Sequence, residues 1–309
     1  MNSGAYMSGK LLKYIIKPSK IIMSLGHRGF FNWMDDEHYL KMVYRIQFGK
    51  KLNLVDPQTY SEKIQWLKIN DRKPEYTMMV DKCEVKKYVA GIIGEEHVIP
   101  TLGVWNRFED IDFSTLPDQF VLKCTHDSGG LAICKDISKF EIDKARKGIS
   151  NCLKHNYYFG LREWPYKNVK PRIIAEKYME DSQTHDLRDY KFFAFDGDVK
   201  ALFIASERYG GSEPKFDFFD ADYNHLPIKN GHPNADELPP KPICFDQMKE
   251  FASKLSKGFH QIRVDFYEVN GEVYFGELTF SHWSGLVPYE PEEWDYHLGS
   301  WIVLPTKGS

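Results

Sequence analysis

The chain has 309 residues, 42% of them hydrophobic, 15% aromatic and 28% charged, which is enough for two or three packed domains around a sizeable core. Those proportions exclude a disordered tail, a collagen-like fibre and a small disulfide scaffold. A net charge of −3 gives no global electrostatic reason to expect nucleic acid as partner, and five cysteines without a C-x-x-C pair argue against a disulfide framework or zinc site and for a reducing cytoplasm.

Residues 1–34 hold Lys10, Lys13, Lys17, Lys20 and Arg28 and no acidic residue, leaving −8 on the rest. Lys10, Lys13 and Lys17 share one helical face and Leu11, Leu12, Ile15 and Ile16 the opposite one, until Pro18 interrupts the period. No run approaches the ~18 apolar residues of a membrane span, and the interspersed lysines argue against a signal peptide. A basic amphipathic helix docked on the body of the protein is expected; the alternative is peripheral contact of residues 8–22 with the anionic inner face of a membrane.

Helical spacing continues through 36–70, with Tyr39, Val43 and Ile46 and then Ile64 and Leu67 on apolar faces, and Pro57 with Thr59 or Ser61 as start signals. Residues 1–75 therefore read as mostly helical, and 80–90 as another helix closed by Gly91 or Gly94. Strands then follow at 120–123, 132–134, 172–176, 190–195 and 199–204, all rich in β-formers, with a helix at 138–155. Pro and polar clusters mark 211–242 as surface connections, before a helix at 245–257. The last clear element is a hairpin of 263–267 and 273–278 around Asn270 and Gly271.

The hairpin register admits two readings. A two-residue Asn270-Gly271 turn pairs Val269 with Glu272 and places Asp265 and Glu277 on opposite faces. A three-residue loop with Gly271 left-handed pairs Glu268 with Glu272 and puts Asp265, Glu277, Arg263 and Thr279 on one face. In the second case the carboxylates suit Mg²⁺ and the guanidinium suits an anionic transition state.

Upstream, Lys123 ends an apolar strand before a loop that contains Ser128, Gly129 and Gly130. Backbone N–H groups there suit phosphate oxygens and the ammonium neutralises them, although an ordinary hairpin connection has the same composition. Glu176 to Met179 lie at the end of one strand and Asp189 to Lys191 at the start of the next.

Taken in this order, these pieces resemble an ATP-grasp carboxylate–amine ligase. The wording at 61–67, 81–82, 123–126, 174–178, 189–193 and 275–280 is similar to the teichuronopeptide-biosynthesis (TupA-like) branch, and the likeness spans about residues 35–300. It implies an α+β ATP-grasp fold, with a lid subdomain and a C-terminal mixed β-sheet domain clasping ATP, behind a helical N-terminal region. The implied divisions are 1–75 for the helical region, 76–118 for a pre-ATP-grasp segment, 119–184 for the lid and 185–309 for the catalytic domain.

By the same resemblance, Lys123 and Lys177 contact the nucleotide phosphates and adenine. Glu176, Lys177, Tyr178 and Met179 form the adenine hinge, Asp189 meets the ribose, and Lys191 sits near the phosphates. Arg208 is directed at the acyl phosphate or acceptor, and Arg263 stabilises the oxyanion. Asp265 and Glu277 hold Mg²⁺, with Thr279 where many such ligases have Asn. The implied reaction is ATP- and Mg²⁺-dependent activation of a carboxylate as acyl phosphate, followed by attack of an amine. Its expected substrates are a uronic-acid sugar and an amino acid in cell-surface polysaccharide biosynthesis.

The competing reading is a glycosyltransferase, for which Asp220-Ala221-Asp222 and Asp196-Gly197-Asp198 match the Asp-x-Asp pattern. A helical N-terminal region speaks against it, and the second motif is better explained as a hairpin turn. A non-catalytic binding protein of the same fold is a third class. His126 is read as a hydrogen-bond donor near phosphates. Trp283, Tyr289, Trp294, Tyr296 and Trp301 are read as C-terminal packing, with a sugar platform as the alternative.

Overall fold

The computed structural model describes residues 18–127, 129–182, 187–206 and 213–305, with helix but no side chains for 18–20. The first seventeen residues, and with them most of the basic amphipathic segment, lie outside that set, as do Ser128 and Arg208. Five helices open the described chain: α1 (Pro18–His27), α2 (Asp36–Phe48), α3 (Tyr60–Asn70), α4 (Glu75–Val80) and α5 (Val85–Ile93). Local chemistry sets their ends. Asp35 caps α2 by accepting from the His38 N–H, and Gly49, at φ 69°, closes it. Thr59 and Glu62 form a capping box at the start of α3.

The single helix expected at 80–90 is two. Asp81 Oδ1 accepts from the N–H groups of Cys83 and Glu84, at 2.8 and 3.2 Å, which favours a local turn over continued helix. The second piece runs to Gly94, whose N–H bonds Ala90 O.

Two antiparallel sheets follow. The smaller has the order β1-β4-β2-β3, from Thr101–Trp105, Ile173–Lys177, Phe120–Cys124 and Leu131–Cys134. The larger has the order β11-β10-β5-β6-β7-β8, from Glu272–Thr279, Ile262–Val269, Asp189–Phe195, Asp198–Ser206, Lys215–Asp220 and His225–Leu226. Its mixed character reduces to one parallel bridge, between Val98 and Phe275. A short pair, β9 (Lys229–Asn230) with β12 (Tyr289–Glu290), lies beside it. Strands β1 and β7 were not expected. β7 falls inside the stretch read as connections, because its buried Asp217 breaks the apolar pattern and instead caps the Ala235 N–H.

Burial alternates along the strands and so decides which faces are free. In the small sheet Phe120, Leu122, Ile173 and Ala175 pack on α6 (Ile142–Cys152) through Ala145 and Ile149. Val121, Lys123 and Glu176 are thereby turned the other way. In the large sheet Phe192, Leu202, Val264 and Phe266 pack beneath α5 and α7 (Phe245–Leu255). On the opposite face Phe193, Phe203 and Phe218 meet Tyr60 and Ile64 of α3 and Leu298 of α8 (Glu293–Trp301).

The hairpin combines parts of both expected registers. Val269 pairs with Glu272 across a two-residue turn, and Asn270 and Gly271 both have positive φ, at 54° and 78°. Pairing then shifts between Asp265 and Phe266, so that Phe266 faces Phe275 and Asp265 faces Glu277. Gly276 is the extra residue of a bulge. A side chain on it would crowd the Asp265 carbonyl oxygen at 3.1 Å.

Candidate active site

The free faces of the two sheets enclose a cleft of about 580 Å³, closed on one side by Val85 and Lys86 of α5. Its volume is that of an ordinary small-molecule site. From the small sheet come Val121, Lys123, Ile133 and Glu176, followed by Lys177, Tyr178 and Met179; from the large sheet come Asp189, Lys191, Asp265, Gly276 and Glu277.

At the small-sheet end the buried Glu176 bridges two cations. Oε2 takes Lys123 Nζ at 2.6 Å, and Oε1 takes Lys86 Nζ. Burial raises the Glu176 carboxyl, but the two lysines outweigh it and hold the pKa below the usual value. Lys82 reaches the Asp127 carbonyl, while the Asp127 carboxylate accepts from the Gly130 N–H at 3.0 Å. Gly130 is required there, because a Cβ would sit 2.5 Å from Cys124 Sγ.

At the large-sheet end Arg263 is the hub. Its Nε and Nη2 form a fork on Asp265, both at 2.7 Å, and Nη2 also reaches Glu277 Oε1 and Thr279 Oγ1 at 2.9 Å. Lys191 bridges Asp265 and Asp189, the latter at 2.6 Å. Burial pushes the Asp265 carboxyl up to about 6 against the pull of Arg263 and Lys191. For Glu277 burial also acts upward, yet Lys191, Arg263 and Lys82 hold it at about 2. Thr279 lies beneath the carboxylates and donates to Glu277 Oε1 at 3.2 Å.

Arg263 Nη1 donates to His282 Nδ1 at 2.7 Å, so the imidazole proton sits on Nε2 and is donated to Asn230 Oδ1 at 2.9 Å. Burial, with Arg263 and Lys191 nearby, drops the His282 pKa well below its ordinary value and keeps the ring neutral. Asn230 is fixed by donating to the carbonyls of Val287 and Pro288, both at 3.0 Å.

Of the residues singled out in the sequence, Lys123, Gly130, Glu176, Lys177, Tyr178, Met179, Asp189, Lys191, Asp265 and Glu277 line one cleft, while Ser128 and Arg208 lie outside the described residues. Gly129 does not line it, and Arg263 is buried behind Asp265 and Glu277. Thr279 supports the acidic pair without lining the cleft, and among the described residues no three His, Cys, Asp or Glu side chains are grouped to hold a metal ion by themselves. Six lining lysines, with the facing carboxylates of Asp265 and Glu277, suit a polyanion that brings a divalent cation with it. Lys86, His282 and Asn230 were missed. Lys86 could have been found as a cation on the otherwise apolar face of Val85, Val89 and Ile93; His282 and Asn230 carry no spacing signal.

The structure corrects the reading of His126 and bears out the turn at Asp196-Gly197. His126 is buried against α6, donating to the carbonyls of Cys152 and His155 at 3.2 and 3.1 Å, and does not face the cleft. Asp220 closes a turn by accepting from the N–H groups of Asp222 and Asn224, and Asp196 with Gly197 forms the β5–β6 turn at φ 49° and 87°. Neither Asp-x-Asp motif lines the cleft.

The fold is that of the ATP-grasp class. Within it, a family model described as "TupA-like ATPgrasp" matches residues 62–303, well over half the chain, and the chain belongs to that family. No curated protein matches the chain. Similar solved structures include D-alanine–D-alanine ligase from Bacillus anthracis complexed with ATP, 15% identical over 66% of this chain and 54% of that one, with a TM-score of 0.37. The D-alanine–D-alanine ligase of Helicobacter pylori is 15% identical over 79% of this chain and 69% of that one, at 0.42. The ATP-grasp ligase PsnB with minimal precursor, Mg and ADP is 12% identical over 71% of this chain and 57% of that one, at 0.38. The chain spans about half the length of the first of these. No helix among the described residues is long and apolar enough to cross a membrane.

Proposed function

We propose that the protein is an ADP-forming carboxylate–amine ligase that uses ATP and Mg²⁺ to join a uronic-acid sugar and an amino acid during cell-surface polysaccharide synthesis. One observation carries the reaction: Lys123, Glu176 and Lys86 face Lys191, Asp265 and Glu277 across a single cleft, with Arg263 bonded to both of those carboxylates from behind. The substrate classes rest on the family's name. We read 119–184 as the lid, 185–309 as the catalytic domain, 76–118 as the segment before them and 1–75 as the helical region.

ATP supplies the phosphoryl group that activates the carboxylate, and Mg²⁺ offsets phosphate charge. In this reading Glu277 and Asp265 hold the cation together with phosphate oxygens. Lys123 and Lys191 neutralise the phosphates, and Glu176 keeps Lys123 aimed into the cleft. Lys177, Tyr178 and Met179 border the adenine, and Gly129 with Gly130 keeps the adjoining loop low. Asp189 orients Lys191 and lies toward the ribose. Arg263, kept charged and oriented by its fork on Asp265 and by His282, stabilises negative charge on the reacting carboxyl. The two sheets exclude water that would otherwise hydrolyse an acyl phosphate.

The test is thermal stabilisation by a non-hydrolysable ATP analogue with Mg²⁺, beside UDP- and GDP-sugars without nucleotide triphosphate. A Mg²⁺-dependent shift with the adenine nucleotide, followed by ADP release in the presence of uronic acids and amino acids, is expected. A shift confined to nucleotide sugars would instead favour a glycosyltransferase.

A further inference from the structure

Strand register carries the reactive cluster sideways into the buried aromatic core beneath α3. Glu277 faces Asp265, Asp265 faces Lys191, Lys191 faces Phe203, and Phe203 faces Phe218, so one row crosses β11, β10, β5, β6 and β7 on one face of the sheet. Phe203 is one strand, about 5 Å, from Lys191. Phe216 lies against Phe203, with centroids 4.7 Å apart, and Trp283 stacks on Phe216 at 6.1 Å and 20°.

Among the C-terminal aromatics Tyr289 is buried and Trp294 and Trp301 pack against the core, whereas Tyr296 and Trp283 are exposed, at 52% and 41%; the Trp283 ring lies 5.8 Å from that of His282, the partner of Arg263. Its backbone is also strained. Trp283, Ser284 and Gly285 are consecutively left-handed, at φ 48°, 58° and 63°.

Two buried side chains of α3 impose that shape. Lys68 Nζ donates to the carbonyl and hydroxyl of Ser284, both at 2.6 Å, and Gln65 Nε2 donates to the carbonyls of Ser284 and Gly285, both at 3.0 Å. One face of the ring packs on Phe216 and the rest stays open to solvent, and strain so over-determined is of the kind that clusters at functional sites. Beside the ring lie Gly231, where a Cβ would come 3.4 Å from the indole nitrogen, and His232, whose Nδ1 lies 3.7 Å from Glu213 Oε1. An open aromatic face bordered by groups that can exchange hydrogen bonds with hydroxyls matches the apolar face and polar rim of a sugar ring.

We propose that the Trp283 indole is the platform on which a pyranose ring of the substrate stacks, placing its reacting group toward Lys191 and Arg263; this rests on the ligase reading above. The test is calorimetric titration of the full chain, with the ATP analogue and Mg²⁺ present, by glucuronic acid and UDP-glucuronic acid. Wild type is compared with Trp283→Ala and Trp283→Phe. Binding in wild type, weakened at least tenfold in Trp283→Ala and largely recovered in Trp283→Phe, is the expected result, with nucleotide stabilisation equal in all three. Equal sugar affinity in wild type and Trp283→Ala overturns the platform, as does a wild-type protein that binds the nucleotide but neither sugar. A wild type that the nucleotide fails to stabilise overturns the ligase reading itself. Should Trp283→Ala fail to fold, undiminished sugar binding by a Trp283→Leu variant overturns the platform equally.

Discussion

Asp265 and Glu277 face each other across β10 and β11 because of one inserted residue, Gly276, and not because of the hairpin turn. Without the bulge, the two-residue turn would pair Asp265 with Gly276 and turn Glu277 toward the core face of Val264 and Phe266. The bulge restores the shared face on which Arg263 contacts both carboxylates. Bulges next to functional sites re-aim side chains in this way.

Glu277 is the acidic group more open to the cleft, its side chain 38% exposed against 1% for Asp265. Glu277→Gln keeps the shape and the Arg263 contact but removes the charge. The variant is expected to unfold within a few degrees of wild type and to lose Mg²⁺-dependent ADP release by at least about 100-fold. Full turnover would remove Glu277 from the metal assignment.

Much of this arrangement could be read in advance, and the failures have physical causes. β-branched and aromatic runs located the main strands, because those residues are also the ones buried. The turn at Asn270-Gly271 was legible, but the bulge had as its only signal a glycine inside a strand pattern. The break at Asp81 escaped notice because a single side-chain cap overrode continuous helical spacing. The roles of Lys86 and His282 arise from contacts between distant segments, such as Lys86 with Glu176 and His282 with Arg263, and no local pattern encodes those.

Lys123 and Lys86 share Glu176, so their losses differ in kind from removal of an isolated pair. Lys123→Met leaves Glu176 with Lys86, and the cost to the free protein is expected to stay near 1–2 kcal/mol in denaturant unfolding. Binding of the ATP analogue should weaken at least tenfold and lose part of its salt dependence. An unchanged nucleotide affinity would leave Lys123 a purely structural partner of Glu176.

His282 acts on Arg263 through one accepting nitrogen. His282→Ala leaves Arg263 Nη1 without that acceptor and opens a buried space, with an expected loss of about 2–4 kcal/mol. His282→Asn, whose carbonyl oxygen can accept in place of Nδ1, should recover part of the stability and of kcat. If Asn behaves no better than Ala in both measurements, the hydrogen bond is not what His282 contributes.

Asp295 supplies a stability test away from the cleft. It is 6% exposed, accepts from the Ser61 N–H at 2.8 Å, and is pushed up to about 6 because burial outweighs that hydrogen bond. A raised carboxyl binds its proton more tightly in the folded than in the unfolded chain, so its stabilising contribution is complete below about pH 3.8 and is lost as pH rises through 6. At pH 8 the buried charge remains as a cost. Asp295→Asn keeps an acceptor for Ser61 and removes that charge, and should therefore raise stability at pH 8 by about 1–3 kcal/mol, with little change at pH 4. Unfolding curves at the two pH values decide it. A gain of equal size at both, or a loss at pH 8, would mean that the carboxylate is better solvated or better paired in the fold than its burial implies.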